Sequence, residues 1–467
     1  MIQIAVLGYG TVGSGVVEVI NTNHSSINKK AGEEINIKYV LDLRDFPGDP
    51  IQEKIVHDFD VILNDPEIKI VVEVMGGVEP AYTFTKKALL AGKSVCTSNK
   101  ELVARHGAEL LEIARERNIN YLFEASCGGG IPIIRPLNSS LTADEIDEIT
   151  GILNGTTNYI LTEMAEKGSD FADVLKEAQN LGYAERNPEA DVEGYDACRK
   201  IAILSSLAFG RQVDYEDIYT EGISKITATD IKYAKAMGQM IKLLAVSRKV
   251  DGSFYAMVSP VLVGPSDPLY SVNGVFNAIF VHGNVLGDAM FYGSGAGKLP
   301  TASAVVADVV DEARHLNRSI MAFWSSKKLE LTDISNSSRK FFVRVKGTPE
   351  TELAKVQEVF GNVQPVVVAD VDGEFGFVTE EMTEAECTGS TRFSDRYRYF
   401  CTYRFAGHSE YCRCIERNSY NRCYAPIYQL RRYFDSLPDD GNGNRPECLA
   451  ADPDKRQLMI ISAKGGS

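Results

Sequence analysis

Between Ala178 and Lys200 the chain reads AQNLGYAERNPEADVEGYDACRK. Glu185, Glu189, Asp191, Glu193 and Asp196 crowd a Gly- and Pro-containing segment that runs into a helical stretch carrying Lys200. Asp196 and Lys200 are four apart, so on a helix they share a face. Such a pair is either an ion pair on a solvated helix start or an ammonium held by a carboxylate for proton exchange.

A second constellation opens the chain. Gly8-Tyr9-Gly10-Thr11-Val12-Gly13 stands between the apolar run IQIAVLG and the helix-like VGSGVVEVINTN. Gly8 allows a tight turn as the strand ends, Gly10 lets backbone approach a pyrophosphate, and Gly13 lets helix pack on strand. Free N–H groups at Thr11 and Val12 then favour an anion. A turn without a ligand is the alternative, and the correct flanks on both sides favour the nucleotide. The next strand, INIKYVLDLRD, ends where an adenosine ribose would lie. Asp42 there would accept from ribose hydroxyls and favour NAD, whereas Arg44 would pair with a 2′-phosphate and favour NADP. Each can equally be an exposed loop charge, so the preference stays open. Cys127, in SCGGG, suggests a rival chemistry, thiolate attack on an aldehyde, which needs a histidine base nearby. His24, His57, His106, His282, His315 and His408 lie in no segment resembling one.

These groups need elements to hold them. The first third alternates short apolar runs (IQIAVLG, INIKYVLD, IKIVVEVMG, KSVCTSN, INYLFEA) with amphipathic stretches, the pattern of a parallel sheet with crossover helices. The expected organisation is α/β: a Rossmann-type dinucleotide-binding domain over 1–130, completed by a helix near 300–318, and a second, α+β domain over 131–320. A small unit at 337–385 follows the linker LTDISNSS, with the pattern strand, helix, strands. From about 386 the periodicity disappears. That tail carries 11 of 24 arginines, 8 of 21 tyrosines and six of nine cysteines. His408, Cys412, Cys414 and Cys423 match no regular metal spacing. A separate disulfide-rich or zinc-binding module is one reading, and an out-of-frame reading of the gene's last part, giving a poorly ordered tail over 386–467, is the expected one.

The net charge of -15 argues against a general binder of nucleic acid or anionic lipid. No apolar run reaches about 18 residues and no leader pattern opens the chain, so cytoplasm is the expected compartment.

The acidic segment resembles the signature of homoserine dehydrogenases, carried here by Ala178, Gly182, Tyr183, Ala184, Asn187-Pro188, Asp191, Val192, Gly194, Asp196 and Lys200. Four further blocks agree: Thr97-Ser98-Asn99-Lys100, Glu124 to Pro132, Asn154 to Asn158, and Gly295 to Ser303. The resemblance covers about residues 1–320. It implies reversible oxidation of L-homoserine to L-aspartate 4-semialdehyde with NAD or NADP, a step toward threonine and methionine. It implies Lys200 as general acid/base, with Lys100 as the neighbouring ammonium that also meets cofactor or substrate, and Asp196 orienting Lys200. Glu185 and Asp191 would serve the substrate's polar groups, Gly155 and Thr156 would add backbone and hydroxyl contacts, and Tyr183 a wall. Gly297 would join Gly8, Gly10, Thr11, Val12, Gly13, Arg44 and Lys100 at the cofactor. A monovalent cation, sodium, would sit at Glu124 with the carbonyls of Cys127, Gly129 and Ile131. The small unit resembles a ferredoxin-like ACT regulatory domain, with Gly347-Thr-Pro-Glu350 in place of the usual Asp-x-Pro-Gly turn and threonine feedback as the implied role. A homodimer or higher homo-oligomer is the family's usual assembly, and the resemblance makes 131–320 the α+β substrate/dimerisation domain, substrate-binding and catalytic.

Overall fold

The computed structural model describes residues 1–320, 324–389 and 397–401. The first domain runs β1 (Ile2–Leu7), α1 (Thr11–Thr22), α2 (His24–Ala31), β2 (Ile35–Leu41), β3 (Ile55–Val56), α3 (Phe59–Leu63), β4 (Ile68–Glu73), α4 (Ala81–Leu90), β5 (Ser94–Thr97), α5 (Lys100–Glu116) and β6 (Tyr121–Leu122). All neighbours in its sheet are parallel, in the order β3-β2-β1-β4-β5-β6, the doubly wound arrangement. β1 and β4 are buried at nearly every position, and apolar but for Gln3, Lys69 and Glu73, because helices cover both faces. The order reverses between β1 and β4, so the crevice at their carboxyl ends is the expected ligand site.

The second domain holds β7 (Ile146–Ile152), α6 (Gly155–Lys167), α7 (Phe171–Asn180), α8 (Glu189–Val192), α9 (Tyr195–Phe209), β8 (Arg211–Gln212), β9 (Tyr219–Thr220), α10 (Ala228–Ala236), β10 (Met240–Val250), β11 (Ser253–Val263), β12 (Phe276–Gly283) and β13 (Gly287–Ser294). Its mixed sheet has the order β13-β12-β7-β10-β11-β9. α11 (Lys298–Arg314) then returns to the first domain and lies on α1 so closely that a Cβ on Gly15 would meet Lys298 O at 2.9 Å. Ala302, Val305 and Val309 of α11 share one core with Ile4 and Val6 of β1. On the opposite face a single apolar cluster joins Leu7 and Val71 to Ile149, Leu153 and Ile201 of the second domain, fixing one domain against the other.

After β14 (Ser325–Lys328), which pairs with β8, a small unit follows: β15 (Phe341–Lys346), α12 (Pro349–Phe360), β16 (Pro365–Val366), β17 (Glu374–Val378), α13 (Glu384–Gly389) and β18 (Tyr397–Cys401). Its sheet order, β16-β17-β15-β18, is that of a split βαβ sandwich. The edge strand β18 pairs antiparallel with β15 and comes from beyond residue 385, where the sequence pattern ends the unit. The rest of the tail, and the expectation made for it, lies outside the described residues.

Candidate active site

Gly8 ends β1 in the left-handed region, with φ +98°, which favours glycine. A Cβ on Gly13 would collide with the Gly8 carbonyl, so α1 can start this close to the strand only with glycine there. Space around Gly10 is open, and no side chain caps the first turn of α1. Thr11 and Val12 therefore present backbone N–H groups to that space. Asp42, just past β2, accepts from Tyr9 N at 2.8 Å and from Arg44 Nε and Nη2 at 2.9 and 3.0 Å. Its bonds to Arg44 hold the carboxyl well below the ordinary range, and Arg44 keeps an exposed guanidinium at the rim. The two residues weighed against each other for cofactor preference are thus partners. Gly297, φ +123°, is the N-cap of α11, and Gly295 touches the Gly129 turn backbone to backbone.

The charged cluster lies where the domains meet. Lys200, one turn into α9, is buried, and its Nζ donates to Asp196 Oδ2 and Leu153 O, each at 2.7 Å. Lys100, the first residue of α5, pairs with Asp196 Oδ1. Asn154, the N-cap of α6, donates through Nδ2 to Asp191 Oδ1 at 2.7 Å and Asp196 Oδ2 at 2.9 Å. Asp196 sits between two ammonium groups rather than leaving them face to face. Burial pushes its carboxyl up, but Lys200 and Lys100 outweigh burial and hold it well below the usual range. For Lys100 the signs reverse: burial pushes down, and Asp196 pushes up by more. Asp191 makes no ion pair among the described residues, and burial and the charge of Asp196 raise it.

Other candidates stand around this cluster. Gly155 and Thr156 begin α6, and Thr156 Oγ1 donates to Tyr183 O at 2.7 Å, tying the start of α6 to the loop before α8. Tyr183 is exposed, with its ring 4.9 Å from that of Tyr159, and Glu185 is exposed on the same loop. Glu124 is buried, and both carboxylate oxygens are engaged: Oε1 accepts from Ile133 N and Ile134 N at 2.6 and 2.9 Å, and Oε2 from Arg135 N at 2.8 Å. These bonds engage both oxygens, so a cation there would share the Glu124 side chain with the backbone it already holds. The carbonyls of Cys127, Gly129 and Ile131 are the remaining hard donors. Cys127 is fully buried, and burial pushes its thiol up to about 12. The described histidines pair elsewhere: His24 with Asn28, His57 with Asp42 O, His106 with Glu109, His282 with Asp288, His315 with Asp311 O. Among the described residues no histidine stands beside Cys127 as the base that a thiolate mechanism needs.

Two participants escaped the sequence reading: Asn154, which bridges both aspartates, and Glu73, fully buried at the end of β4. The signal for Glu73 was a carboxylate inside the apolar run IKIVVEVMG, where burying a charge is costly.

Family models described as "Homoserine dehydrogenase" and "Homoserine dehydrogenase, NAD binding domain" match residues 132–310 and 8–124. The homoserine dehydrogenase of Pseudomonas aeruginosa is 46% identical over 319 residues, spanning 67% of this chain and 72% of its own length. The crystal structure of a homoserine dehydrogenase from Thiobacillus denitrificans superposes with a TM-score of 0.78 at 34% identity, over 86% of this chain and 98% of that one. A hyperthermophilic archaeal homoserine dehydrogenase in complex with NADPH gives 0.58 at 29% identity, over 67% and 97%.

Proposed function

The chain belongs to the homoserine dehydrogenase family, and from that premise we propose that Lys200 exchanges the proton of the substrate hydroxyl. The reaction is the reversible NAD(P)-dependent oxidation of L-homoserine to L-aspartate 4-semialdehyde. When bound, the nicotinamide takes or returns the hydride. The residues that would hold the cofactor are the Gly8–Gly13 loop with the first N–H groups of α1 at the pyrophosphate, Asp42 and Arg44 at the adenosine ribose, and Lys100 and Gly297 toward the nicotinamide.

The reading is carried by one observation: two lysines from different domains share the buried carboxylate of Asp196. Lys200 donates to Asp196 and Leu153 O, as an ammonium does, which is the acid needed to protonate the aldehyde oxygen during reduction. In the oxidative direction it must first give up a proton, and Asp196 then keeps the amine aimed. Glu185 and Asp191 serve the substrate ammonium, and Tyr183 forms a wall. Thr156 spends its hydroxyl proton on Tyr183 O, so Gly155 and Thr156 serve the substrate carboxylate through the N–H groups that open α6. A sodium ion near the 128–131 turn would rest on carbonyl oxygens, and no proton or hydride step passes through it.

Lys200→Ala is expected to retain NADPH binding, read by fluorescence, and to lose about 10²- to 10⁴-fold in kcat. Near-normal kcat in this variant would overturn the assignment.

A further inference from the structure

Glu73 and Thr97 are register partners at the carboxyl ends of β4 and β5. Neither is solvent-exposed, and no ion pair reaches Glu73 among the described residues. The hydrogen bonds around them run one way. Asn99 N donates to Thr97 Oγ1 at 2.9 Å, and Thr97 Oγ1 donates its only proton to Glu73 Oε2 at 2.5 Å. Met75 N donates to Glu73 Oε1 at 2.8 Å. The carboxylate thus accepts from β5 on one oxygen and from the turn after β4 on the other, with the Asn99 side chain beside it.

Both contacts lead to working parts. Asn99 is the N-cap of α5: its Oδ1 accepts from Leu102 N at 3.1 Å, and its Nδ2 donates to Gly77 O at 2.6 Å. The next residue is Lys100, which pairs with Asp196. On the other side, Met75 and Val74 lie against Gly8, where a Cβ would meet Met75 Cγ at 3.2 Å. One buried carboxylate therefore joins the glycine loop, the Gly76-Gly77 turn and the first turn of α5.

We infer that Glu73 is a positioning residue for hydride transfer: through Thr97 and Asn99 it fixes the start of α5, and so Lys100, against the loop that carries the cofactor. A carboxylate in this place is poorly chosen for stability, since a buried anion without a cation partner is expensive. Its use is geometric. Both of its oxygens accept, so the Thr97 proton is turned inward, which leaves the Thr97 oxygen free to hold Asn99 N. Glu73 touches neither substrate nor reacting atoms; it acts through Lys100, and so rests on the reading of Lys100 and Lys200 given above.

The test uses the full chain with Glu73→Gln, Thr97→Val and Thr97→Ser, measuring kcat and KM for L-homoserine and the Kd of NADPH. Thr97→Val and Glu73→Gln are expected to lower kcat about 10- to 100-fold, the scale of a small misalignment, with KM and Kd nearly unchanged. Thr97→Ser keeps the hydroxyl and is expected to rescue. Loss of activity in Thr97→Ser equal to that in Thr97→Val would mean packing, not the hydroxyl chain, and would overturn the inference; so would wild-type kcat in all three. If Glu73→Gln fails to fold, the Thr97 pair decides alone. Lys200→Ala run alongside separates the two failures: an active Lys200→Ala sinks the catalytic reading, whereas a dead Lys200→Ala beside fully active Glu73 and Thr97 variants sinks only this inference.

Discussion

Glu73 has only donors of neutral hydrogen bonds around it, so burial dominates and pushes its carboxyl up to about 7. An acid whose folded value lies above its unfolded value binds more protons when folded, and stability falls with rising pH over the interval between the two. The contribution is present below about 4.5 and is lost as the pH rises through about 7. At 1.36 kcal/mol per pH unit the loss is at most about 3 kcal/mol. Glu148, Asp308 and Glu312 are raised by burial as well, so the wild-type curve sums several such groups. The difference between wild type and Glu73→Gln isolates one. Thermal scans between pH 5 and 8 are expected to show the wild type losing Tm relative to Glu73→Gln as pH rises. Parallel curves would mean that Glu73 titrates normally. Asp196 shows the opposite case: as deeply buried, it is flanked by Lys200 and Lys100 and held low, so it stays charged where Glu73 hesitates between two states.

Elements explain why much of this was legible in the sequence. IQIAVLG, INIKYVLD, IKIVVEVMG, KSVCTSN and INYLFEA all contain strands of the parallel sheet, because a strand buried on both faces must be apolar throughout and leaves a plain mark. The two-residue β3 and the five-residue α3 left none; they are too short for either period to appear. Gly13 and Gly8 were legible because only glycine tolerates that contact and that φ. Asn154 was not, since an asparagine before Gly-Thr-Thr reads as a helix cap, which it also is. Its other job, spanning Asp191 and Asp196, depends on α8 and α9 folding back onto α6 from more than thirty residues away. Likewise, that Lys100 and Lys200 meet one carboxylate is a fact about domain packing, and local pattern carries no record of it. The edge strand β18 was missed because it falls where composition changes and periodicity no longer guides.

At the scale of the molecule, two surfaces have consequences. β13 is the outer strand of the second domain's sheet, unpaired on one side among the described residues, and Met290 and Tyr292 there, with Val285 and Leu286 in the hairpin and Phe276 at the start of β12, are exposed apolar residues. Such an edge is a hazard unless covered, and a second copy of the chain is the occupant we propose. Light scattering is expected to give a dimer, and Tyr292→Lys to weaken it; a monomeric wild type would refute this.

The small unit is docked differently. Arg344 of β15 sends Nη1 to Asp230 Oδ1 of α10 at 2.6 Å, while its Nη2 holds Glu374 at the same distance. The other oxygen of Asp230 caps α10 by accepting from Thr227 N and Oγ1 at 2.8 and 2.6 Å. Beside this pair, Tyr233 meets Phe342 at 5.3 Å between ring centroids. Asp230 and Arg344 are both buried, so removing the guanidinium strands a carboxylate away from water, a defect worth about 3–5 kcal/mol in comparable buried pairs. Arg344→Met is therefore expected to lower Tm by several degrees. Asp230→Asn combined with it should recover part of the loss, because the stranded charge is then gone. kcat should stay near the wild-type value in both, since α10 sends no side chain to the Lys200 cluster. A Tm for Arg344→Met equal to that of the wild type would show that apolar contact alone holds the unit. A matching collapse of kcat would show instead that the unit and the active site are mechanically joined.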